Sequence, residues 1–121
     1  MAKIEELENP SLVVKINKTF RDGMSSEELY EIIRGIWKIK KEKRDRIEYV
    51  FGVYRGIIKE VYKVTRWDDA GTTPYKFRIH DTELLKARSE FVGSPAENAI
   101  RDRFVGKSIE LTSQTINYYN F

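Results

Sequence analysis

Apolar positions along the chain change period several times, and each change marks an element. Within residues 11–17, Leu12, Val13, Val14 and Ile16 form a nearly continuous apolar run, which predicts a strand. Gly23 marks a loop, and Ser25-Ser-Glu-Glu28 then has the form of a capping box, with Ser25 as N-cap and Glu28 three residues on. Leu29, Ile32, Ile33, Ile36 and Trp37 follow at helical spacing, so an amphipathic helix should run to about Ile39. From 47 to 54 the period drops to two, and Ile47, Tyr49, Phe51 and Val53 should share one face. Arg55-Gly56 reads as a tight turn into a long strand over 57–67, which makes the strongest hairpin signal in the chain. Asp68-Asp-Ala-Gly71 should break that strand, with 72–74 continuing the loop.

The second half carries weaker signals. Residues 77–80 and 88–92 read as two short strands. Ser94-Pro-Ala-Glu97 reads as a second capping box with proline at the first helical position. Ala96, Ile100 and Phe104 make the apolar stripe of a short helix, which Gly106 should stop. Residues 108–111 and 116–119 could form a last pair of strands. The expected order is β-α-β-β-β-β-α-β-β. It implies an α+β fold with a curved or barrel-like, mostly antiparallel sheet and two main helices. The 121 residues suit a single domain, with residues 1–10 as a loose N-terminal arm or with a short helical turn over 3–8, ended by Pro10.

Composition narrows the function more by exclusion than by indication. With 40% hydrophobic residues and fifteen aromatics (7 Tyr, 6 Phe and 2 Trp), there is enough apolar material for a core. The absence of cysteine excludes disulfides and thiolate metal sites, and His80 is the lone histidine, which excludes sites that need two imidazoles. The first ten residues are acidic and lack the apolar centre of a signal peptide. No apolar run approaches the roughly eighteen residues that span a bilayer. A cytoplasmic protein without membrane association is the expectation.

Charge is unevenly placed. Between Arg34 and Arg46 there are seven cations (Arg34, Lys38, Lys40, Lys41, Lys43, Arg44 and Arg46) against Glu42 and Asp45, a net of +5. The whole chain nets +3, so everything outside that window nets −2. This is the electrostatic footprint expected of a nucleic-acid surface, with Trp37 at its edge as an indole that could stack on a base. A solvated loop between helix and strand, and a core position for Trp37, explain the same residues structurally. Trp67, at a strand end beside a loop, could line a pocket or pack in the core. Arg34 lies next to Gly35 and reads either as a buried arginine paired with a carboxylate or as an anion clamp.

Catalytic constellations are not apparent. Asp68-Asp69 is a carboxylate pair, but no spacing matches a calcium loop or a two-metal site, and no metal or cofactor is expected. Glu60 and Lys63 are three apart, so on a strand they face opposite sides. Gly52-Val-Tyr54 with Tyr62 resembles part of the GIY-YIG nuclease pattern, but Val61-Tyr62-Lys63 lacks the glycine of its second tripeptide. Ser94 is better explained as a cap than as a nucleophile, and the seven glycines do not cluster into a phosphate-cradling loop.

Several short segments in order do resemble a known type of protein. They are Val13-Val-Lys-Ile-Asn17, Leu29-Tyr30-Glu31, Arg34-Gly35-Ile-Trp37, Val53-Tyr-Arg-Gly-Ile57, Glu60-Val-Tyr62 running to Trp67, Glu90-Phe-Val-Gly93 and Val105-Gly-Lys-Ser108. Together they resemble a small bacterial domain that occurs alone or appended to GIY-YIG-type nucleases. The chain departs at its tail, which reads Gln114-Thr-Ile-Asn-Tyr-Tyr-Asn120 where that domain carries a glycine- and proline-containing segment before a Tyr-Val-Asn close. The strand–Gly–strand–Trp arrangement is also similar to the PUA-like superfamily, with its ASCH, EVE and YTH domains. Those are small β-barrels that bind RNA or modified bases. The resemblance implies Trp37 and Trp67 as stacking platforms and Asn17 or Arg34 as hydrogen-bonding groups, in a module of defence or of nucleic-acid modification.

The first expectation is therefore a non-catalytic module that binds DNA, RNA or a modified base. The alternatives are a protein-interaction or homo-oligomerisation domain, using the acidic N-terminus and the aromatic tail, and a binder of a nucleotide-like small molecule.

Overall fold

The apolar run near the N-terminus becomes the strand β1 (Ser11–Lys15) and lies inside the sheet, not at its edge. The computed structural model describes residues 1–78, 80–110 and 112–121. In it β1 pairs in parallel with β3 (Tyr49–Tyr54) and antiparallel with β6 (Ile116–Tyr119). β3 returns through β4 (Ile57–Asp69) to β5 (Ser89–Pro95), which carries the three-residue edge strand β2 (Gly35–Trp37). The order across the sheet is β2-β5-β4-β3-β1-β6, and the sheet curls into a half-barrel. The fold is thus α+β with a curved, mostly antiparallel sheet, as the patterning implied. No helix among the described residues is long and apolar enough to cross a membrane.

Both faces of the central strands are covered, which is why β1 reads as continuous and not alternating. Leu12, Val14 and Val50 meet Ile32 and Ile33 of α1 (Ser26–Arg34) on one side. Val13, Phe51, Val53, Ile58 and Val61 meet Phe104 of α4 (Asn98–Phe104) and Ile4 of a 3-10 turn, Ile4–Leu7, on the other. Tyr49, Phe51 and Val53 share the second face as expected. Ile47 does not, because β3 starts only at Tyr49 and Ile47 joins the opposite cluster. The first ten residues do not hang loose. Ile4 is buried, and Asn120 Nδ2 donates to the carbonyls of Ile4 and Asn9.

The first capping box forms as written, with Glu28 N–H donating to Ser25 Oγ at 3.1 Å. The helix stops at Arg34, five residues short of the expected end. Gly35 adopts an extended conformation and pairs with Glu90, and a Cβ there would sit 1.9 Å from Tyr75 Oη. Ile36 and Trp37, which continue the helical spacing, instead form β2. A glycine costs a helix about 1 kcal/mol, and strand pairing outweighs what a further turn would gain. The basic segment contains a single short helix, α2 (Lys41–Arg44).

The Arg55-Gly56 turn has φ of 47° and 79°, both left-handed, which is the twist a two-residue hairpin needs. β4 runs two residues past Trp67, because Asp68 and Asp69 pair with Glu90 and Ser89. A short helix not expected from the pattern, α3 (Thr82–Leu85), is capped by Asp81. The second capping box does not form. Ser94 and Pro95 stay in β5, paired with Lys63 and Tyr62, while Glu97 accepts from the Tyr49 hydroxyl at 2.7 Å. Gly106, at φ 84°, does close α4. The strand expected over 77–80 includes Ile79 and the one over 108–111 includes Leu111, both outside the described residues. Of their neighbours, Phe77, Arg78 and His80 lie in no strand, and Ser108 makes one isolated bridge to Ile57.

Candidate functional site

A cavity of about 480 Å³ among the described residues opens at the end of β1, where the turn after it, the end of α1, β2 and the segment before β6 converge. Its walls include Lys15, Lys18, Arg78 and Arg88, with no carboxylate among the described lining residues. Asn17 and Trp37 stand beside these cations, and Ile32 and Ile36 supply apolar surface. A second cavity of about 320 Å³, between the N-terminal turn and Tyr119, brings Glu5 and Glu110 together with Lys3. Charges of both signs meet there without convergence on a ligand, so the basic cleft is the better candidate.

Each wall of the cleft has a structural origin. Asn17 and Lys18 sit on a turn closed by Thr19 and Phe20 N–H donating to the Ile16 carbonyl. The Asn17 side chain accepts from Arg55 N–H at 2.9 Å, which ties this turn to the β3–β4 hairpin. Lys15 Nζ donates to the Thr112 carbonyl and holds the opposite wall. Trp37 is half-buried, and its indole N–H donates to the Ile33 carbonyl at 2.7 Å, so the ring is anchored to the end of α1.

The cleft floor is strained. Ile36 has φ 63°, a left-handed conformation that a β-branched residue adopts at a cost of about 1–3 kcal/mol. Two cleft arginines hold it there: Arg78 donates to the Gly35 carbonyl at 2.7 Å and Arg88 to the Ile36 carbonyl at 3.4 Å. Burial pulls the Arg78 guanidinium below its usual pKa.

Arg78 reaches the cleft on an irregular loop that three buried charges hold in place. Glu31 accepts from Lys76 and Phe77 N–H at 2.8 and 2.7 Å. Glu90, with no exposed surface, accepts from Gly71 N–H, Thr73 N–H and the Tyr75 hydroxyl. Arg34 pairs with Glu90 at 3.3 Å, donates to the carbonyls of Thr73 and Pro74, and stacks 3.9 Å from the Tyr75 ring centroid. Of its two sequence readings, the geometry is that of the buried arginine paired with a carboxylate.

The other expected site residues separate. Trp67 is buried against Phe91, with its indole N–H on the Ile47 carbonyl, and it does not face the cleft. Lys41 and Arg44 bond Asp69, at 3.4 and 2.8 Å. Lys43 lies over the Tyr118 ring and Arg46 over Phe121, so the aromatic tail is packed under the basic run. Lys38 and Lys40 are exposed. The structure therefore brings together Asn17 and Trp37, adds Lys15, Lys18, Arg78 and Arg88, and turns most of the 40–46 run toward its own fold. Lys15 and Lys18 flank Asn17, so the position of a strand end was the available signal for them. Arg78 and Arg88 each follow a lysine by two residues, outside the dense basic run and outside any motif, and carry none. No family model, curated protein or solved structure matches the chain.

Proposed function

We propose that the chain is a nucleic-acid-binding module whose cleft takes a nucleotide of a larger strand, with the base against Trp37 and the phosphate among Lys15, Lys18, Arg78 and Arg88. The observation that carries this reading is the cleft's composition: four cations, an anchored half-buried indole and no carboxylate among the described lining residues. Cations supply phosphate affinity without sequence preference, whereas an aromatic face and Asn17 offer a base both stacking and hydrogen bonding. The resemblance to PUA-like domains, and a role in defence or nucleic-acid modification, belong to the same proposal.

Fluorescence-anisotropy titration with labelled single-stranded and duplex oligonucleotides tests it. Binding should weaken with salt, with a log–log slope of about −0.7 for each phosphate neutralised on a single strand. Lys18→Ala and Trp37→Ala should each lower affinity, the former also flattening the salt dependence. Absence of binding at low salt would overturn the reading. A second reading, a free nucleotide as the natural ligand, is favoured by the cleft's volume, which is near the small end of ligand pockets. It requires a mononucleotide to bind as tightly as any oligonucleotide.

A further inference from the structure

A second group of aromatic and basic side chains follows the cleft wall in the chain, outside the cleft lining itself. The turn that forms its wall leads directly to Phe20, whose ring packs 4.7 Å from that of Tyr54 at the end of β3. Two cations stand over this aromatic pair. Lys59 Nζ is 5.0 Å from the Phe20 centroid and 5.9 Å from that of Tyr54, and Arg55 Cζ is 5.1 Å from Tyr54. All four side chains keep some solvent exposure.

Two local irregularities put those cations there. Val53 pairs with Ile58 and Gly52 with Glu60, so Lys59 is the extra residue of a β-bulge, a device that re-aims a side chain. Arg55 occupies the first position of the hairpin turn at φ 47°, where glycine, asparagine or aspartate would be less strained. An asparagine would serve the turn better, so the positive charge is what the arginine adds. Asn17 joins the two regions, lining the cleft while accepting from the Arg55 backbone N–H.

We propose that the ligand is a single-stranded nucleic-acid segment of at least two to three nucleotides, one in the cleft and the next stacked on the Phe20–Tyr54 pair with its phosphate on Arg55 and Lys59. This rests on the cleft being a nucleic-acid site and specifies the class of nucleic acid. Base-paired nucleotides are already stacked on their neighbours and cannot give their faces to Phe20 or Tyr54, whereas a single strand can. Lys59 and Arg55 cover the rings in the free protein, and both are flexible enough to exchange a ring face for a phosphate.

The test is competition against a labelled hexathymidylate by thymidine monophosphate, by unlabelled oligothymidylates of two, three and six nucleotides, and by a duplex of the same length. Affinity should rise at least about fivefold from one nucleotide to three, the lower end for one added base–aromatic stack. The ratio of trinucleotide to mononucleotide affinity should collapse in the double variant Arg55→Ala/Lys59→Ala and fall in Phe20→Leu, which keeps an apolar side chain but removes the ring. Thermal melting of each variant confirms that it is folded. Length-independent binding, a ratio unchanged in the double variant, or preference for the duplex would overturn the extended site while leaving the cleft reading in place. No binding of any oligonucleotide would overturn both.

Discussion

Replacing Arg34 with methionine isolates what the buried charge cluster contributes. The Arg34 side chain is 5% exposed and that of Glu90 is fully buried, so the variant leaves a carboxylate in the interior without its cation. Breaking such a pair from one side costs about 3–5 kcal/mol. Glu90 keeps three donors, from Gly71, Thr73 and Tyr75, which places the loss toward the lower end. Against that, the Thr73 and Pro74 carbonyls lose the guanidinium that bonded them, and the Tyr75 ring loses a stacked cation. A total of about 3 kcal/mol lowers the melting temperature of a domain this size by about 10–15 °C. Urea unfolding followed by circular dichroism should show the midpoint falling with the slope unchanged, because the fold is retained. Arg34→Lys should recover little, since a single ammonium cannot reproduce the two carbonyl bonds, the carboxylate contact and the planar stacking together. A loss below about 1 kcal/mol in Arg34→Met, or full rescue by lysine, would refute the assignment of Arg34 as the clamp of this loop.

Three further outcomes follow from contacts elsewhere. The hydrogen bond from Arg44, reinforced by the charge and hydrogen bond of Lys41, holds the Asp69 carboxyl below the usual range. A lowered folded-state pKa stabilises above the unfolded value and is lost as pH falls through the folded one. Wild type should therefore exceed Asp69→Asn in stability above roughly pH 4 and converge with it in stronger acid, as read from melting temperature across pH. Burial, then the hydrogen bond to Glu97, pushes the Tyr49 hydroxyl up to about 12, and burial also raises Tyr62, Tyr75 and Tyr119. Alkaline titration of the native protein by ultraviolet difference absorbance should thus show these four tyrosines ionising late. Folding stability should decline as pH rises from roughly 10 through their folded values. Gly93→Ala should destabilise more than Gly52→Ala in urea unfolding. The new Cβ would meet the Lys63 backbone carbonyl at 2.2 Å in the first case, and in the second the end of the Ile33 side chain, which can rotate away.

What could be read in the chain beforehand was whatever local spacing dictates. The first capping box, the hairpin about Arg55-Gly56, the stop at Gly106 and the closing strand all depend on residues within a few positions of one another. What escaped depends on partners far along the chain. The spacing of Ile36 and Trp37 is faithfully helical, and only β5, more than fifty residues on, converts them into an edge strand, with Glu90 pairing Gly35 and Ser89 pairing Trp37. The same pairing separates Trp37 from the basic run that follows it. The density of cations in that run suggested a ligand surface, yet Asp69, Tyr118 and Phe121 take up most of it, and none of these lies near it in sequence. The cations that do converge come from three places: two from the end of β1 and the turn after it, one from the loop that Arg34, Glu31 and Glu90 hold, and one from the residue before β5. Clustering in sequence places charges on one short element, where the fold must solvate or neutralise them. Convergence in space is assembled from separate elements, and the strained Ile36, with its own carbonyl bonded by Arg88 and that of Gly35 by Arg78, shows where this fold spends stability to achieve it.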